Sequence, residues 1–541
     1  MRRICSILGL FLLFLPSTLS ADSVKLPSQQ QIDKASHLLK RATFGPRPEE
    51  IIQLAEKGEG ALRLWVEEQL KPNTISDTEV DKKLQRFKSL SMNNQQLATT
   101  FLKPKKNQPA KKNKEGTQNP PKQILMELIA QKFIRSVESK RQLQEVLVDF
   151  WFNHFNVDFR KGQTKWLITS YERDVIRPHV FGKFSDLLMA TARSPAMLFY
   201  LDNAQSVKSG FASSKGKKNT KSIRRGINEN YARELMELHT LGVNGGYTQK
   251  DVAEVARILT GWTIDRKDEA LKFVFKPSMH DQGSKEVMNI HFPAKGGEAE
   301  GIQLLQMLAK HPSTARNIAF KLAQRFISDD PPKSIVDKLS KIFTTTDGDL
   351  SALYRELFIS SEFWSSRFAN AKIKKPFHWE VSMIRAVGGK IEIDGDQDIH
   401  QLDAPIEQMG EAIYRCQPPT GFKDSAQFWV NAGALVTRMN FALRLSRHRV
   451  NAVTFSSNYF RSSIQKAGLM GKNDESIKYL DRMIMGSALK ESTIQKISTE
   501  LNADPLVQEE AEVTRSEKMR NSINMKKILG LVLGSPEFQR F

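Results

Sequence analysis

A mainly α fold, built as a large multi-helix array or bundle with one small β-hairpin near residues 270–292, is what this 541-residue chain predicts. Three observations predict it. Apolar residues recur at i, i+3, i+4 and i+7 through most of the chain. Period-two alternation is confined to 271–275 and 287–292. Gly, Pro, Asn, Asp, Ser and Thr punctuate the apolar-periodic runs at helical lengths.

The chain opens with Arg2-Arg3, an apolar stretch at 7–15 and small residues up to Ser20 and Ala21. This reads as a cleaved signal peptide over 1–21, which predicts an exported protein, periplasmic or secreted from a bacterium. Cys5 precedes the apolar stretch, so no lipoprotein cleavage site is expected. Cys416 is then the single cysteine left, and no internal disulfide is expected. No other run approaches the ~20 apolar residues that a membrane helix needs.

Residues 22–541 read as one helical region, with a sub-boundary near 265–300. Helices are predicted at 32–43, from Pro48 to a stop at Gly58, and through Leu62, Trp65 and Leu70. A long helical stretch follows, with Leu143, Val146, Leu147, Phe150, Trp151 and His154 on one stripe, which puts an imidazole in the core. Further helices are predicted at 165–176, 184–192, 196–201, 299–310, 313–327, 334–343, 350–359, 374–387, 429–445 and 525–533. The stretch 415–422, with Pro418-Pro419 and Gly421, is predicted to be a loop. Ser360-Ser361-Glu362-Phe363 and Ser535-Pro536-Glu537-Phe538 repeat one helix-ending pattern.

The formal charge of +21 is concentrated. Residues 103–122 hold seven lysines against Glu115 alone, and 205–226 hold seven lysines and arginines with no acid. Both are poor in apolar residues and read as disordered basic insertions. Nucleic-acid binding is not expected from charge gathered in loops; contact with anionic envelope polymers is the alternative use.

The densest polar stretch runs from Asn228 to Thr263. Asn228 is placed to cap a helix whose apolar stripe is Tyr231, Leu235 and Leu238, while Glu229, Arg233 and Glu237 follow one another at i, i+4. Gly242 ends it, Gly245-Gly246 turns the chain, and Thr248 caps a second helix with Val252, Val255, Ala256 and Leu259 inward.

The principal candidate site combines Asn153, His154, Asn230, Arg233, Glu234 and Glu237. Glu234 and Glu237 share a helix face, and His154 from another helix would complete a divalent-metal site of the kind built between bundle helices. The alternative is a buried polar network in which Asn153, Asn230 and Arg233 satisfy these groups. His239 is two residues from Glu237 and is expected on a different face. A second candidate is His280-Asp281, a neighbouring pair that could orient a general base, or equally form a turn with Gly283. Gly-x-Ser-x-Gly, Gly-x-Gly-x-x-Gly and Walker-type loops are absent, so no nucleotide cofactor is identifiable.

The segments His37 to Gly45, Phe150-Trp151-Phe152-Asn153-His154-Phe155, Asn228 to Trp262, His280-Asp281-x-Gly283-x-Lys285, Ala315 to Ala319 and Ser360 to Phe363 resemble an exported bacterial family known as domain of unknown function 1800. The resemblance implies a mostly helical exported protein, with a partner from the exported family domain of unknown function 1501, and supplies no reaction. A common family form reads Trp-His-Asn-His-Phe where this chain has Phe152, which removes the first of two histidines. Two functions are therefore expected to compete: a binding or assembly protein working with a cell-envelope partner, and a metal-assisted hydrolase or redox enzyme acting on an envelope or extracellular polymer.

Overall fold

The computed structural model describes residues 27–102, 120–211, 226–267, 270–502 and 517–541. The expected signal peptide, residues 103–119 of the first basic insertion and 212–225 of the second lie outside them. The second insertion begins later than its charge pattern indicates. Ser206 and Val207 are fully buried, and Lys208 N donates to the Met279 carbonyl at 2.8 Å.

The fold is mainly α, as the periodicity predicts. Gln29–Ala42 opens with a reciprocal cap between Ser28 and Gln31 and packs on Glu50–Glu56, Glu59–Gln69 and Gln142–His154. Pro120–Glu138 lies against Pro376–Ala386 and Asp396–Gln408, so segments far apart in sequence close over each other. Pro312–Phe326, Lys333–Thr345 and Leu350–Ile359 pack in succession, burying Ile318, Leu322, Leu339 and Leu353. Ala432–Ser446 packs on Glu517–Leu533. One connected core runs from Ile32 to Phe538, with Trp151, Trp262 and Trp379 among its largest buried side chains. No helix of the described residues is long and apolar enough to cross a membrane.

The expected single hairpin is replaced by two. Trp262–Asp265 pairs antiparallel with Lys272–Phe275, and Lys285–Val287 pairs with Ile290–Phe292. The second closes on itself because Met288 and Asn289 both take positive φ, 49° and 64°, as a two-residue hairpin turn requires. The first needs Trp262 and Ile264 buried opposite Phe275 and Phe273, a pairing hidden behind the preceding helix in the sequence pattern. A third short pair joins Lys390–Ile391 to Val453–Thr454.

Helices absent from the sequence expectation are Thr78–Leu84, Asn94–Leu102, Asp396–Gln408, Ser457–Lys466, Asn473–Met485 and Glu491–Asn502. They are short, polar or, in Asp396–Gln408, carry Pro405 inside the helix, so packing decides them rather than propensity. The repeated Ser-x-Glu-Phe pattern forms the same turn twice: Phe363 N donates to Ser360 Oγ and Phe538 N to Ser535 Oγ, both at 3.2 Å.

Candidate functional site

The central helix starts as its residues dictate, with Asn228 Oδ1 accepting from Asn230 N at 2.9 Å. Asn230–Glu234 is α-helical, but Leu235–Thr240 winds as a wider π-helix. Arg233 bonds Glu229 at 3.4 Å and Gln249 at 2.8 Å, and it forms no ion pair with Glu237, so the expected cation between two carboxylates is not formed. Glu237 Oε2 instead accepts from the Tyr247 hydroxyl at 3.5 Å, across the turn that Gly246 (φ 85°) makes.

Glu234 and Glu237 stay half-buried. Burial, then the charge of Glu237, pushes the Glu234 carboxyl above its usual range. Burial, with Glu237 next, likewise raises the Tyr247 phenol. Tyr200, raised mainly by burial and in small part by Glu234, donates to the Gln417 carbonyl at 2.7 Å. Among the described residues no cation forms an ion pair with Glu234, which makes this carboxylate pair the least internally satisfied part of the predicted cluster.

His154 is buried, as its stripe predicts, but it faces His239 rather than the two glutamates. His154 Nε2 lies 3.2 Å from the His239 carbonyl, which can only accept, so the ring proton sits on Nε2 and Nδ1 is left as a buried acceptor with no protein donor. The two rings are 6.3 Å apart between centroids, with Phe155 and Trp151 against them. Burial and the nearby Lys321 ammonium hold His154 well below the usual imidazole range and His239 down to about 3, so both are neutral at physiological pH. His239 is buried, four residues after buried Leu235, while Glu237 is half-buried, so the two lie on different faces, as their spacing predicts.

The remaining residues of the predicted cluster are dispersed. Asn153 grips the loop 415–422, its Nδ2 donating to the Phe422 carbonyl at 2.9 Å and its Oδ1 accepting from Phe422 N at 2.8 Å. Asn156 adds bonds to the carbonyls of Cys416 and Pro418, both at 2.9 Å. Asn230 Nδ2 reaches the Leu201 carbonyl at 3.4 Å. The expected set of His154, Glu234 and Glu237 is not gathered, and among the described residues no group of three or more His, Cys, Asp and Glu is placed to hold one metal ion. Phe152 packs on Tyr171 and Tyr414, away from His154, so a histidine at 152 would not join it.

His280 and Asp281 serve different partners. His280 is fully buried, its Nδ1 2.8 Å from the Thr260 carbonyl and its Nε2 3.5 Å from Glu300. Asp281 pairs with Arg257 through two contacts of 3.0 and 3.1 Å, which hold its carboxyl low against the upward push of burial, and it accepts from Gly283 N at 2.9 Å. No His–Asp dyad is formed. Lys285 reaches Glu300 at 2.5 Å, so buried His280 and Lys285 fasten the hairpins while residues 282–284 between them are exposed. Cys416 is buried, and burial pushes its thiol up to about 12, which makes it inert at neutral pH.

The sequence pattern of one family, described as Protein of unknown function (DUF1800), matches residues 37–540, nearly the whole chain. No curated protein and no solved structure matches.

Proposed function

The chain belongs to the DUF1800 family, and from that premise we propose that it is an exported helical binding or assembly protein that works with a partner in the cell envelope. One observation carries this reading: Glu234 and Glu237 are half-exposed neighbours and, among the described residues, Glu234 forms no ion pair, while the predicted polar residues around them are engaged in holding helices and loops. A carboxylate pair left in this state, beside the Tyr247 hydroxyl, suits a basic group on a partner, which would offset both causes that raise Glu234, burial first and the charge of Glu237 second. The partner proposed is an exported protein of the family domain of unknown function 1501.

The test is direct titration of the purified chain with that protein. Glu234→Lys and Glu237→Lys are each expected to weaken binding by tenfold or more, whereas Lys341→Glu on another helix leaves it unchanged. Equal affinity in all three variants would remove the carboxylate pair from recognition.

A second reading, a metal-assisted hydrolase or redox enzyme acting on an envelope polymer, draws on the same two half-exposed carboxylates, since adjacent ionised carboxylates can take a cation. On this reading Glu234 and Glu237 would hold the ion without His154. Elemental analysis of the purified protein, with Glu234→Gln alongside, separates the two.

A further inference from the structure

Three basic side chains surround the Phe541 ring in the interior. Arg41 comes from the last turn of Gln29–Ala42, Arg325 from the last turn of Pro312–Phe326 and His378 from the first turn of Pro376–Ala386. The Arg41 guanidinium carbon is 4.8 Å from the ring centroid, that of Arg325 is 5.3 Å away, and the His378 ring is 4.6 Å away. Arg41 is 0% exposed, His378 3% and Arg325 4%.

Their hydrogen bonds do not balance. Arg41 Nη2 donates to the Phe368 carbonyl at 2.6 Å, but Arg41 Nε and Nη1 find no acceptor among the described residues. Arg325 Nη2 lies 3.5 Å from His378 Nδ1, and since a guanidinium only donates, Nδ1 is the acceptor and the imidazole proton is on Nε2. His378 Nε2 and Arg325 Nη1 are likewise without an acceptor. All four unmet atoms are donors.

Contact ion pairs are missing as well. Among the described residues neither arginine has a carboxylate within ion-pairing distance. Asp329 is paired with Lys372 at 2.5 Å and Asp149 with Lys132 at 2.6 Å, and together with Asp424, 3.9 Å from Lys372, and Glu411 they act on the two arginines only at longer range. Lys374, also buried, is pushed well below its usual range, first by burial and then by Lys40 and Arg438, and its Nζ donates to the Phe538 carbonyl at 2.7 Å. A buried guanidinium cannot shed its proton as a lysine can, so its unmet N–H groups call for an acceptor at contact distance that these acids do not supply.

We propose that Arg41, Arg325 and His378 bind a small inorganic oxyanion of the phosphate, sulfate or bicarbonate class, enclosed as the chain folds. Its oxygens accept from the guanidinium edges and the imidazole N–H, and its negative charge offsets the two arginines. Water would supply acceptors but no charge. The site also gives the Arg41 of the first family segment a role that the carboxylate face does not use, because the ion ties the N-terminal helix to Pro312–Phe326 and Pro376–Ala386.

The experiment uses the full chain purified in chloride buffer. Denaturation followed by ion chromatography is expected to release one oxyanion per chain, and its retention time identifies which. Chain refolded in chloride and then given millimolar phosphate, sulfate or bicarbonate at constant ionic strength is expected to show a higher thermal midpoint with the matching ion. Arg325→Gln and His378→Leu lose that rise, and Arg449→Gln on the surface keeps it. Wild-type chain that releases no oxyanion and melts identically in all four buffers overturns the proposal, as does an undiminished rise in Arg325→Gln. If Arg325→Gln does not fold, His378→Leu and the wild-type release decide the matter.

Discussion

His154 Nε2 sits 3.2 Å from the carbonyl of His239, so the imidazole that sequence periodicity places inside the core is held by another histidine's backbone and not by a carboxylate. Both rings are neutral in the folded chain at physiological pH, because burial and Lys321 hold them low. In the unfolded chain a histidine takes up its proton near pH ~6.5. His239 resists protonation down to about 3 when folded. Between those values the unfolded state binds more protons, so stability rises with pH and is lost as pH falls. Urea unfolding at a series of pH values is expected to show this slope, and His239→Phe to show a shallower one. Buried Asp481, raised to about 6 mainly by burial, works in the opposite direction, which is why the comparison is between variant and wild type. Parallel slopes in the two proteins would refute the assignment.

The fastening of loop 415–422 predicts an asymmetric sensitivity at Asn153 and Gly421. Gly421 has φ 67°, and a Cβ there would fall 2.3 Å from the Asn153 carbonyl oxygen, too close for any rotamer change to relieve. Gly421→Ala therefore combines strained backbone with a steric clash and is expected to destabilise by about 2–4 kcal/mol. Asn153→Ala removes two hydrogen bonds to Phe422 and leaves that residue's amide and carbonyl unmet, for about 1–3 kcal/mol. Chemical denaturation measures both, and the double variant is expected to cost less than the two losses added, since both act on one contact. Strict additivity would mean that the loop is not held through this pair.

The class of fold was legible because it rests on periodicity, and most helices begin within a few residues of their caps and prolines. Asn228, Thr248 and Gly242 mark their helix ends by local chemistry that needs no partner. The site was less legible for a specific reason. Glu237 and His239 fall on different faces, as their spacing indicates, but the π-winding of Leu235–Thr240 has no signature in the residues, and which distant group each face meets is decided by packing. His154 showed its burial in the stripe it extends, but nothing along the chain indicates which helix it meets. The cations around Phe541 could not be read at all, since Arg41, Arg325 and His378 are joined by packing alone.

Lys285 and Glu300 offer the sharpest test of the view that His280 and its neighbours are structural. Lys285 Nζ lies 2.5 Å from Glu300 Oε2, and both side chains are enclosed, at 0% and 3% exposure. Glu300 Oε1 also accepts from Gly296 N at 2.9 Å at the start of Glu298–Lys310, and Lys285 Nζ donates to the Asp281 carbonyl at 2.5 Å. The pair thus joins the second hairpin to a helix and to the His280-Asp281 turn. Removing one partner leaves the other charge buried without compensation, so Lys285→Met is expected to cost about 3–5 kcal/mol by urea denaturation. Glu300→Gln in that background neutralises the stranded carboxylate and is expected to restore part of the loss, with the amide still able to accept from Gly296 N. A loss below about 1 kcal/mol in Lys285→Met, the range of an exposed pair, would sink the structural reading. It would leave the ammonium free for another role beside His280, whose Nε2 lies 3.5 Å from the same carboxylate oxygen.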